Sequence, residues 1–463
     1  MIYTDANYNT ITQSTMTSSL PGASFYGGIE IYSASSNTIS QSYMYNPSAY
    51  GAHLEGGSKY NTIINSTATG GSYGLFLDAS STNTAAGCYV QGSTAVYVSG
   101  AGTVVNSSVL VSTQDTGSGL CMTNASVNLS LSSNTILGGA QGAGVYLDAN
   151  NKGTINLSTN TILPGARYGL YFATQTAGTQ IWVTSNTVLV STSSNWNTYG
   201  IYLNGLISGA TIYNNGIYYR TRGNVSPKTA YGFYVQSSSG VNFDHNRINQ
   251  PGMITGGSAV SAYFNGARQV AFKFNDVNST GTNLTTAYLL QLVASTITVK
   301  SNVFLSSLTV VASGSSATIS VDAASQSGFA SQYNDFFSSN SCNTGICNGI
   351  SYQFAPYWTC NGLQDGGSIT ENPYWNNPSA GVEDFHPLSQ AGRYNPATGA
   401  FDQSDGVSSL TIDSADPAEP FTGGTLGDEP DPNGKRANQG SYGGTSQASE
   451  SVLKPGGGFL KSD

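Results

Sequence analysis

Short segments in which apolar and polar residues alternate run through the first 340 positions of the chain. Each segment ends at Gly, Ser, Asn or Thr, a pattern typical of β-strands that bury one face. Glu and Lys, which favour helices on protein surfaces, are scarce. The pattern therefore predicts an all-β protein.

An Asn followed by Thr and an apolar residue, or a close variant, recurs at steps of 22 to 32 residues. A repeat at such a period indicates stacked structural units. Asn tolerates tight corners, and its amide can bond the backbone of the next unit, so the marks predict an asparagine ladder. The marks are Asn9, Asn37, Asn61, Asn83, Asn106, Asn134, Asn160, Asn186, Asn214, Asn246, Asn275, Asn302 and Asn334.

A second phrase, Gly-apolar-aromatic-apolar, lies between these marks. It begins at Gly74, Gly144, Gly169, Gly200 and Gly232. At least two strands therefore occur in each period, and stacking such coils buries a thin apolar interior. We predict a parallel β-solenoid of about 12–13 coils.

The coil length, the asparagine ladder and the two-strand phrase resemble the right-handed parallel β-helix of the pectin-lyase-like superfamily. The tail resembles the closing region of bacterial secreted β-helix-repeat proteins. This second resemblance rests on residues 383–386, 391–396, 411–417, 432–434 and 438–445. Together the resemblances imply a right-handed parallel β-helix that is extracellular or on the cell surface. Because these proteins differ in function, they imply no particular reaction.

Composition changes after residue 340, where ten of the fifteen prolines and most acidic residues are found. Loop-rich, charged segments typically cover the open end of a solenoid. We therefore predict a parallel β-helix over 1–340, a C-terminal cap over 341–455 and a flexible end over 456–463. Neither a basic nor an apolar segment follows Met1, so we expect a removed signal peptide or a longer parent chain.

Charged residues make up only 8% of the chain, and the net charge of −9 arises in the tail. The first 340 residues carry ten acidic and ten basic side chains. This balance argues against a nucleic-acid partner, which would need a basic surface. No apolar run is long enough to cross a bilayer, so we expect no membrane insertion.

The five cysteines fall into two groups. Cys88 and Cys121 are isolated in strand-like segments, whereas Cys342, Cys347 and Cys360 lie close together. We expect one disulfide among the last three, with the pairing open. A structural zinc site at these three is disfavoured because a fourth Cys or nearby His is lacking.

Outward-facing residues of the aromatic phrase align in one column that also includes Glu30, His53 and Cys121. Tyr has a high strand propensity, so stacked rings that stabilise the sheet are the simpler interpretation. The alternative is a platform for sugar rings, whose C–H faces lie on aromatic rings. The candidate glycan-binding residues are Phe76, Tyr97, Tyr146, Tyr171, Tyr202, Tyr234 and Tyr263.

A second candidate is a cluster of charges in three consecutive coils. Its members are Arg220, Arg222, Lys228, Asp244, His245, Arg247, Arg268, Lys273 and Asp276. Counting from the Asn marks places Asp244 beside Lys273 and Arg247 beside Asp276, so ion pairs between coils are the favoured interpretation.

The enzymatic alternative is a site for an anionic polysaccharide at this cluster. Asp244, His245, Arg247 and Lys273 would be catalytic, with a proton abstracted next to a uronate carboxylate. The carboxylates would be bound by Arg220, Arg222 and Arg268.

No cofactor is expected. The resemblance to pectate lyases would imply calcium held by several acids, but this cluster offers only Asp244 and Asp276. Calcium at the tail acids is the alternative, although the Pro and Gly around them favour solvated loops; these acids are Asp413, Asp416, Asp428, Glu429 and Asp431. The first 340 residues also lack the close Asp pair of β-helix glycoside hydrolases.

We therefore predict a secreted or surface-displayed bacterial solenoid that is non-catalytic and acts in glycan binding, adhesion or structure. Its expected partner is a polysaccharide or cell-surface glycan. The alternative is a polysaccharide lyase or glycoside hydrolase acting on an acidic polysaccharide.

Overall fold

The computed structural model describes most of the chain in two compact units. Unit 1 consists of Met1–Ser191, Thr198–Thr211 and Phe233–Ser239, and unit 2 of Thr192–Asn197, Ile212–Gly232 and Gly240–Asp463. The described residues are 1–19, 27–78, 82–100, 102–123, 128–191, 195–205, 207–220, 228–253, 256–340, 343–353, 358–423 and 426–452.

Both units are parallel β-solenoids, which confirms the predicted all-β fold. Each full coil carries three strand positions, and the strand at one position pairs in parallel with the equivalent strand of the next coil. Thirteen described strands occupy position 1, in agreement with the predicted 12–13 coils. These are Thr10–Thr12, Thr38–Ser40, Thr62–Ile64, Asn83–Ala86, Thr103–Asn106, Leu129–Ser132, Thr154–Ser158, Gln180–Thr184, Thr211–Tyr213, Asn242–Asp244, Val270–Lys273, Ile297–Lys300 and Phe329–Gln332.

Positions 2 and 3 follow in each coil. Position 2 contains Thr15–Thr17, Tyr43–Asn46, Thr67–Gly70, Tyr89–Gly92, Val109–Ser112, Thr135–Leu137, Thr161–Ile162, Thr187–Ser191, Gly216–Arg220, Arg247–Met253 and Asp335–Ser338. Position 3 contains Gly27–Tyr32, Tyr50–Glu55, Tyr73–Asp78, Thr94–Ser99, Leu120–Met122, Ala143–Leu147, Tyr168–Phe172, Thr198–Asn204, Thr229–Gln236, Ser258–Asn265 and Asn343–Cys347. Two long strands, Asp276–Val293 and Val303–Val321, run through both positions.

Inward-facing residues stack between coils to form the cores. In unit 1, Ile39 pairs in register with Ile63, and both are buried. In unit 2, the rings of Phe304 and Phe336 stack with centroids 5.5 Å apart. Each coil therefore buries its apolar face against its neighbours, as expected for a solenoid.

The asparagines form two ladders, so the single predicted column is wrong. In unit 1, Asn9, Asn37 and Asn61 precede the position-1 strand and Asn83 begins it. Each of the first three donates its backbone N–H and side-chain amide to the next Oδ1. The second ladder follows that strand. It contains Asn134, Asn160 and Asn186 in unit 1, and Asn215, Asn246, Asn275, Asn302 and Asn334 in unit 2.

Two predicted members, Asn106 and Asn214, lie outside both ladders. Asn106 ends a position-1 strand, opposite Ser132, and the ladder residue beside Asn214 is Asn215. The position-1 strand is short, so an Asn before it and an Asn after it recur at similar steps along the sequence. In earlier coils the second column is occupied by Ser42 and Ser66, which do not match a motif that begins with Asn.

Residues 358–371 continue the coil pattern beyond the last full coil. The backbone N–H of Asn334 donates to Ser368 Oγ at 2.8 Å, and Trp358 Nε1 donates to Asp365 at 2.6 Å. A disulfide joins Cys347 to Cys360, within the predicted group of three. Cys342 lies outside the described residues.

The rest of the described tail lies along the side of the unit 2 coils. Trp375 and Phe385 pack against Val303, with Tyr218 and Leu305 beside them. The described tail also contains short strands that pair antiparallel. A 3₁₀ turn precedes them in the last coil. These elements are Gln326–Gly328 (the turn), Ile350–Tyr352, Trp375–Asn377, Asp384–Pro387, Arg393–Asn395 and Ala400–Asp402.

Candidate functional site

The aromatic phrase of position 3 forms a column of side chains in register. Within unit 1, His53 pairs with Phe76, Phe76 with Tyr97, and Tyr97 with Cys121. The column continues through Tyr146 and Tyr171 to Tyr202. The alignment inferred from the sequence therefore holds residue by residue.

A second column of tyrosines, missed by the sequence analysis, runs beside the first. Tyr50 pairs with Tyr73, and Tyr168 pairs with Tyr199. Each of these residues stands three positions before a member of the first column. The sequence contains the motif Tyr-Gly-apolar-aromatic at these positions. It did not predict a second column because strict alternation would place residues three apart on opposite faces of a strand.

Glycine resolves this conflict because two inward residues separate the two outward rings. Gly74 and Leu75 are both buried between Tyr73 and Phe76, which face outward. A Cβ at Gly74 would lie 2.6 Å from Val90 Cγ1. At Gly74, the absence of a side chain therefore lets the neighbouring strand approach closely.

The two columns form two ring clusters in unit 1, separated by the coil of Cys121. Ring cluster 1 contains Tyr50, His53, Tyr73, Phe76 and Tyr97. The rings of Tyr73 and Tyr97 stack with centroids 4.6 Å apart, and His53 stacks on Phe76 at 4.7 Å.

Ring cluster 2 contains Tyr146, Tyr168, Tyr171, Tyr199, Tyr202 and Tyr234. Tyr168 stacks on Tyr199 at 5.0 Å, and Tyr146 on Tyr171 at 4.9 Å. Tyr202 packs edge-on against Tyr234 at 4.7 Å. Most of these rings are half-buried. Burial raises the pKa of the Tyr146 and Tyr202 hydroxyls, so these remain neutral donors at physiological pH.

Polar groups border ring cluster 2. The side-chain amide of Asn204 donates to Tyr171 Oη at 2.6 Å, and Arg167 lies 5.0 Å from the centre of the Tyr168 ring. A shallow pocket at the corner after the same position-3 strands is lined by hydroxyl and amide side chains. These include Thr174, Gln175, Thr176, Ser208, Ser237 and Ser239.

In unit 2, Tyr263 belongs to the predicted column and pairs in register with Gln291. Its ring lies 5.7 Å from that of Tyr231. Burial raises the pKa of Tyr263.

The predicted charge cluster lies in unit 2, where the tail packs against it. Asp244 pairs in register with Lys273, and Arg247 with Asp276, as the spacing predicted. Lys273 Nζ, however, donates to Glu419 of the tail at 2.6 Å. Arg247 donates to Asn214 and lies 5.4 Å from the centre of the tail ring of Tyr442.

His245 and Asp244 form the closest pair among the four predicted catalytic residues. His245 Nδ1 lies 2.7 Å from Asp244 Oδ1, and His245 Nε2 contacts the carbonyl oxygen of Gly443 at 2.8 Å. The imidazole also stacks on Phe274. The tail therefore contacts three of the four residues, His245, Arg247 and Lys273.

The tail phrase 438–445 is the segment that docks here. Gly440 N–H donates to the carbonyl oxygen of Ser301 at 2.9 Å. Ser441 donates its N–H and its hydroxyl to Asp276. A Cβ at Gly440 would lie 2.3 Å from Asp276 Oδ1, so glycine is required at this contact. Burial raises the pKa of Asp276 to about 7, against the lowering effect of its Ser441 hydrogen bonds.

Of the predicted uronate-binding arginines, the two that the structure describes lie at different positions of their coils: Arg220 ends a position-2 strand, and Arg268 precedes a position-1 strand. Arg220 makes a bidentate pair with Glu383 of the tail. Arg268 is exposed. Arg222 lies outside the described residues.

The tail acids bind backbone and basic groups of their own chain. Asp416 accepts from Lys300 Nζ at 2.7 Å, and Asp413 accepts from the backbone of Gly434. Glu429 accepts backbone N–H groups of Asn438 and Gly444 and is buried, which differs from the expected solvated loop. The cysteines Cys88 and Cys121 carry no disulfide.

A third grouping joins Glu30, His53 and Glu55 in unit 1. Glu30 pairs in register with His53, but no hydrogen bond joins them: both nitrogens of His53 lack a hydrogen-bond partner, and both residues are buried. Burial, reinforced by Glu55, raises the pKa of Glu30 to about 7, and burial lowers the pKa of His53.

The comparisons with known proteins concern the fold. The family model described as "Right handed beta helix region" matches residues 1–136. Among solved structures, the chain is similar to PfbA, a surface adhesin of Streptococcus pneumoniae, with 10% identity and a TM-score of 0.31 over 67% of this chain and 72% of that one. The search of curated proteins found no match.

The described part of the chain contains no helix with the length and apolarity needed to cross a membrane. The stacked parallel coils of the described residues show the fold. The chain is a parallel β-helix repeat protein.

Proposed function

We propose that this protein is a secreted or surface-displayed solenoid that binds a glycan through ring cluster 2, without catalysis. The observation that carries the proposal is the pair of adjacent aromatic columns. Together they place six tyrosines on one surface of four neighbouring position-3 strands.

Such a surface suits sugar rings. The faces of half-buried tyrosines offer apolar area to sugar C–H groups, while phenol and amide groups at their edges hydrogen-bond to hydroxyls. The Asn204 amide and the hydroxyl-lined pocket supply further polar groups on the same coils. Repetition of the rings from coil to coil suits a repeating polymer.

The charges near ring cluster 2 favour a neutral glycan. Arg167 lies over Tyr168, and Asp148 accepts from the Tyr146 hydroxyl at 3.3 Å. One cation and one anion leave the surface with little net field, so an anionic polymer would gain no general attraction. Neutral polysaccharides are therefore the expected partners.

The disulfide between Cys347 and Cys360 supports an extracellular location. Disulfides form and persist in secreted and surface proteins, whereas cytosolic thiols are kept reduced. A non-catalytic role is supported by the charge cluster, because three of its four predicted catalytic residues, His245, Arg247 and Lys273, contact the tail of the same chain.

Affinity electrophoresis tests the proposal. The full chain is run through gels containing single neutral or uronic-acid polysaccharides, beside the double variant Tyr171→Ala/Tyr202→Ala. Tyr89→Ala is the matched control, because Tyr89 is an exposed strand tyrosine outside both ring clusters. Circular dichroism checks the fold of each variant.

We expect a neutral polysaccharide to retard the native chain and Tyr89→Ala equally, and the double variant at least tenfold less strongly. Equal retardation of all three would reject ring cluster 2 as the binding surface. The same polysaccharides are assayed for unsaturated products and new reducing ends; either product would overturn the non-catalytic role.

A further inference from the structure

Three potential metal ligands converge on one outward surface of unit 1. Glu30 and His53 occupy the same position in adjacent coils, and Glu55 follows His53 by two residues on the same face. One ligand atom from each residue lies within 4.8 Å of the other two. In the described part of the chain, this is the only group of three such residues with that spacing.

Three polar atoms of this group are buried without hydrogen-bond partners. His53 is 1% exposed and Glu30 5% exposed. Neither nitrogen of His53 nor the Oε2 atom of Glu30 has a hydrogen-bond partner. The closest approach of His53 Nε2 to Glu55 is 3.8 Å, too long for a hydrogen bond.

Such an arrangement is costly for a protein without a ligand. A buried polar atom that loses water and gains no partner costs about 1–3 kcal/mol. Native structures pair most such atoms, and exceptions call for a bound ion or a functional role. The three unpaired atoms, Glu30 Oε2 and both nitrogens of His53, therefore require an explanation.

We propose that Glu30, His53 and Glu55 bind a divalent transition-metal ion, with Zn²⁺ as the expected occupant. One imidazole nitrogen and two carboxylate oxygens match the ligand types that Zn²⁺ accepts. This site does not depend on glycan binding at ring cluster 2, which lies on other coils.

The spacing allows closure around an ion. Tetrahedral Zn²⁺ with bonds of about 2.0–2.2 Å holds its ligand atoms roughly 3.4 Å apart. The present separations of up to 4.8 Å require inward movement of about 1 Å, which carboxylate side-chain rotations supply. Three protein ligands also leave a fourth position for water.

Neighbouring rings hold the imidazole in place. His53 stacks on Phe76 with 5° between the ring planes, and Tyr50 packs against it at 5.0 Å. A ligand held this way loses little conformational entropy on metal binding.

Calcium is a poor fit to this site. Ca²⁺ takes six to eight oxygen ligands, whereas one of the three ligands here is a nitrogen. Imidazole suits Zn²⁺ and its first-row neighbours. The ligands therefore distinguish this proposed zinc site from the calcium site that was considered for the tail acids.

Calorimetric titration of the full, chelator-treated chain with ZnCl₂ tests the site. We expect one Zn²⁺ to bind per chain, with affinity at least tenfold weaker in His53→Ala and in Glu55→Gln. Glu55→Gln preserves the shape of a half-buried side chain, so it remains informative if His53→Ala fails to fold. Asp115→Asn removes an exposed carboxylate of the same unit and should bind as the native chain does.

Cobalt absorption spectroscopy identifies the ligands. Bound Co²⁺ should show visible bands of a nitrogen- and oxygen-ligated ion, which His53→Ala removes. A thiolate charge-transfer band would assign the metal to a cysteine instead and overturn the proposal. Absence of Zn²⁺ binding, or binding unchanged in both variants, would also overturn it.

Discussion

Tyr168 and Tyr199 occupy the same position in adjacent coils, and their rings stack with centroids 5.0 Å apart and 11° between the planes. Each is followed by a buried glycine and, two residues later, by a second outward ring, Tyr171 or Tyr202. The buried glycine therefore lies between the two outward rings of each coil. Its replacement should disturb both stability and the ring surface.

Gly169→Ala is expected to lower the free energy of unfolding by about 1–3 kcal/mol, the usual cost of overpacking. The new Cβ would lie 2.2 Å from Val188 Cγ1 and 2.5 Å from the Gly200 carbonyl oxygen. Chemical denaturation measures the loss. Gly406→Ala is the control, because no heavy atom lies within 4 Å of the place its Cβ would occupy and its stability should remain within about 0.5 kcal/mol of the native value.

Asparagines of the second ladder should contribute more to the free energy of unfolding than asparagines outside both ladders. Asn160 donates to the Leu131 carbonyl at 2.8 Å and to Asn186 Oδ1 at 2.9 Å, and its own Oδ1 accepts from Asn134. Asn160→Ala leaves these buried groups unpaired and should cost about 2–4 kcal/mol. Asn106→Ala, outside both ladders, should cost less than about 0.5 kcal/mol. Equal losses would contradict the two-ladder assignment.

Asp276 should make the stability of unit 2 depend on pH. Its folded pKa of about 7 exceeds the ordinary value of 3.8, so folding favours the protonated acid. This contribution is complete below about pH 4 and is lost as the pH rises through 7. Arg247, His245 and the Ser441 donors face the carboxylate and limit the shift.

Denaturant titrations at several pH values measure this effect as the difference in the free energy of unfolding between Asp276→Asn and the native chain. The amide does not titrate, so the variant should gain stability relative to the native chain between pH 5 and pH 8. The gain is at most about 4 kcal/mol, since one pH unit corresponds to about 1.4 kcal/mol. A difference that stays constant with pH would exclude Asp276 as the titrating group.

The ion pairs between tail and coils should differ in strength. Glu383 is 4% exposed and pairs with both Arg220 nitrogens, whereas the partners Lys273 and Glu419 are 31% and 15% exposed. Glu383→Gln should cost about 2–3 kcal/mol because it leaves a partly buried cation uncompensated. Glu419→Gln should cost at most about 1 kcal/mol. The reverse order, measured by thermal or chemical unfolding, would contradict this account of tail docking.

Much of the architecture could be predicted because each coil of a solenoid places equivalent residues beside those of the next coil. Phe76, Tyr97 and Tyr146 align in the structure as the phrase count placed them. The pairing of Asp244 with Lys273 followed from the same count. Parallel coils keep like positions adjacent, so spacing along the chain converts directly into contact.

What could not be predicted depends on contacts between distant segments or on departures from alternation. The second tyrosine column requires two inward residues in succession at the glycine. Docking of Ser441 on Asp276 joins residues 165 positions apart, without a periodic relation. The grouping of Glu55 with Glu30 and His53 depends on side-chain direction as well as register.

Hydroxyl-radical footprinting of the native chain, with and without a retained polysaccharide, tests the central claim most directly. Ring cluster 2 as the glycan surface predicts that oxidation of Tyr171 and Tyr202 falls severalfold on binding, while that of Tyr89 is unchanged. Equal oxidation of Tyr171 and Tyr202 in both states, with the polysaccharide bound, would contradict it.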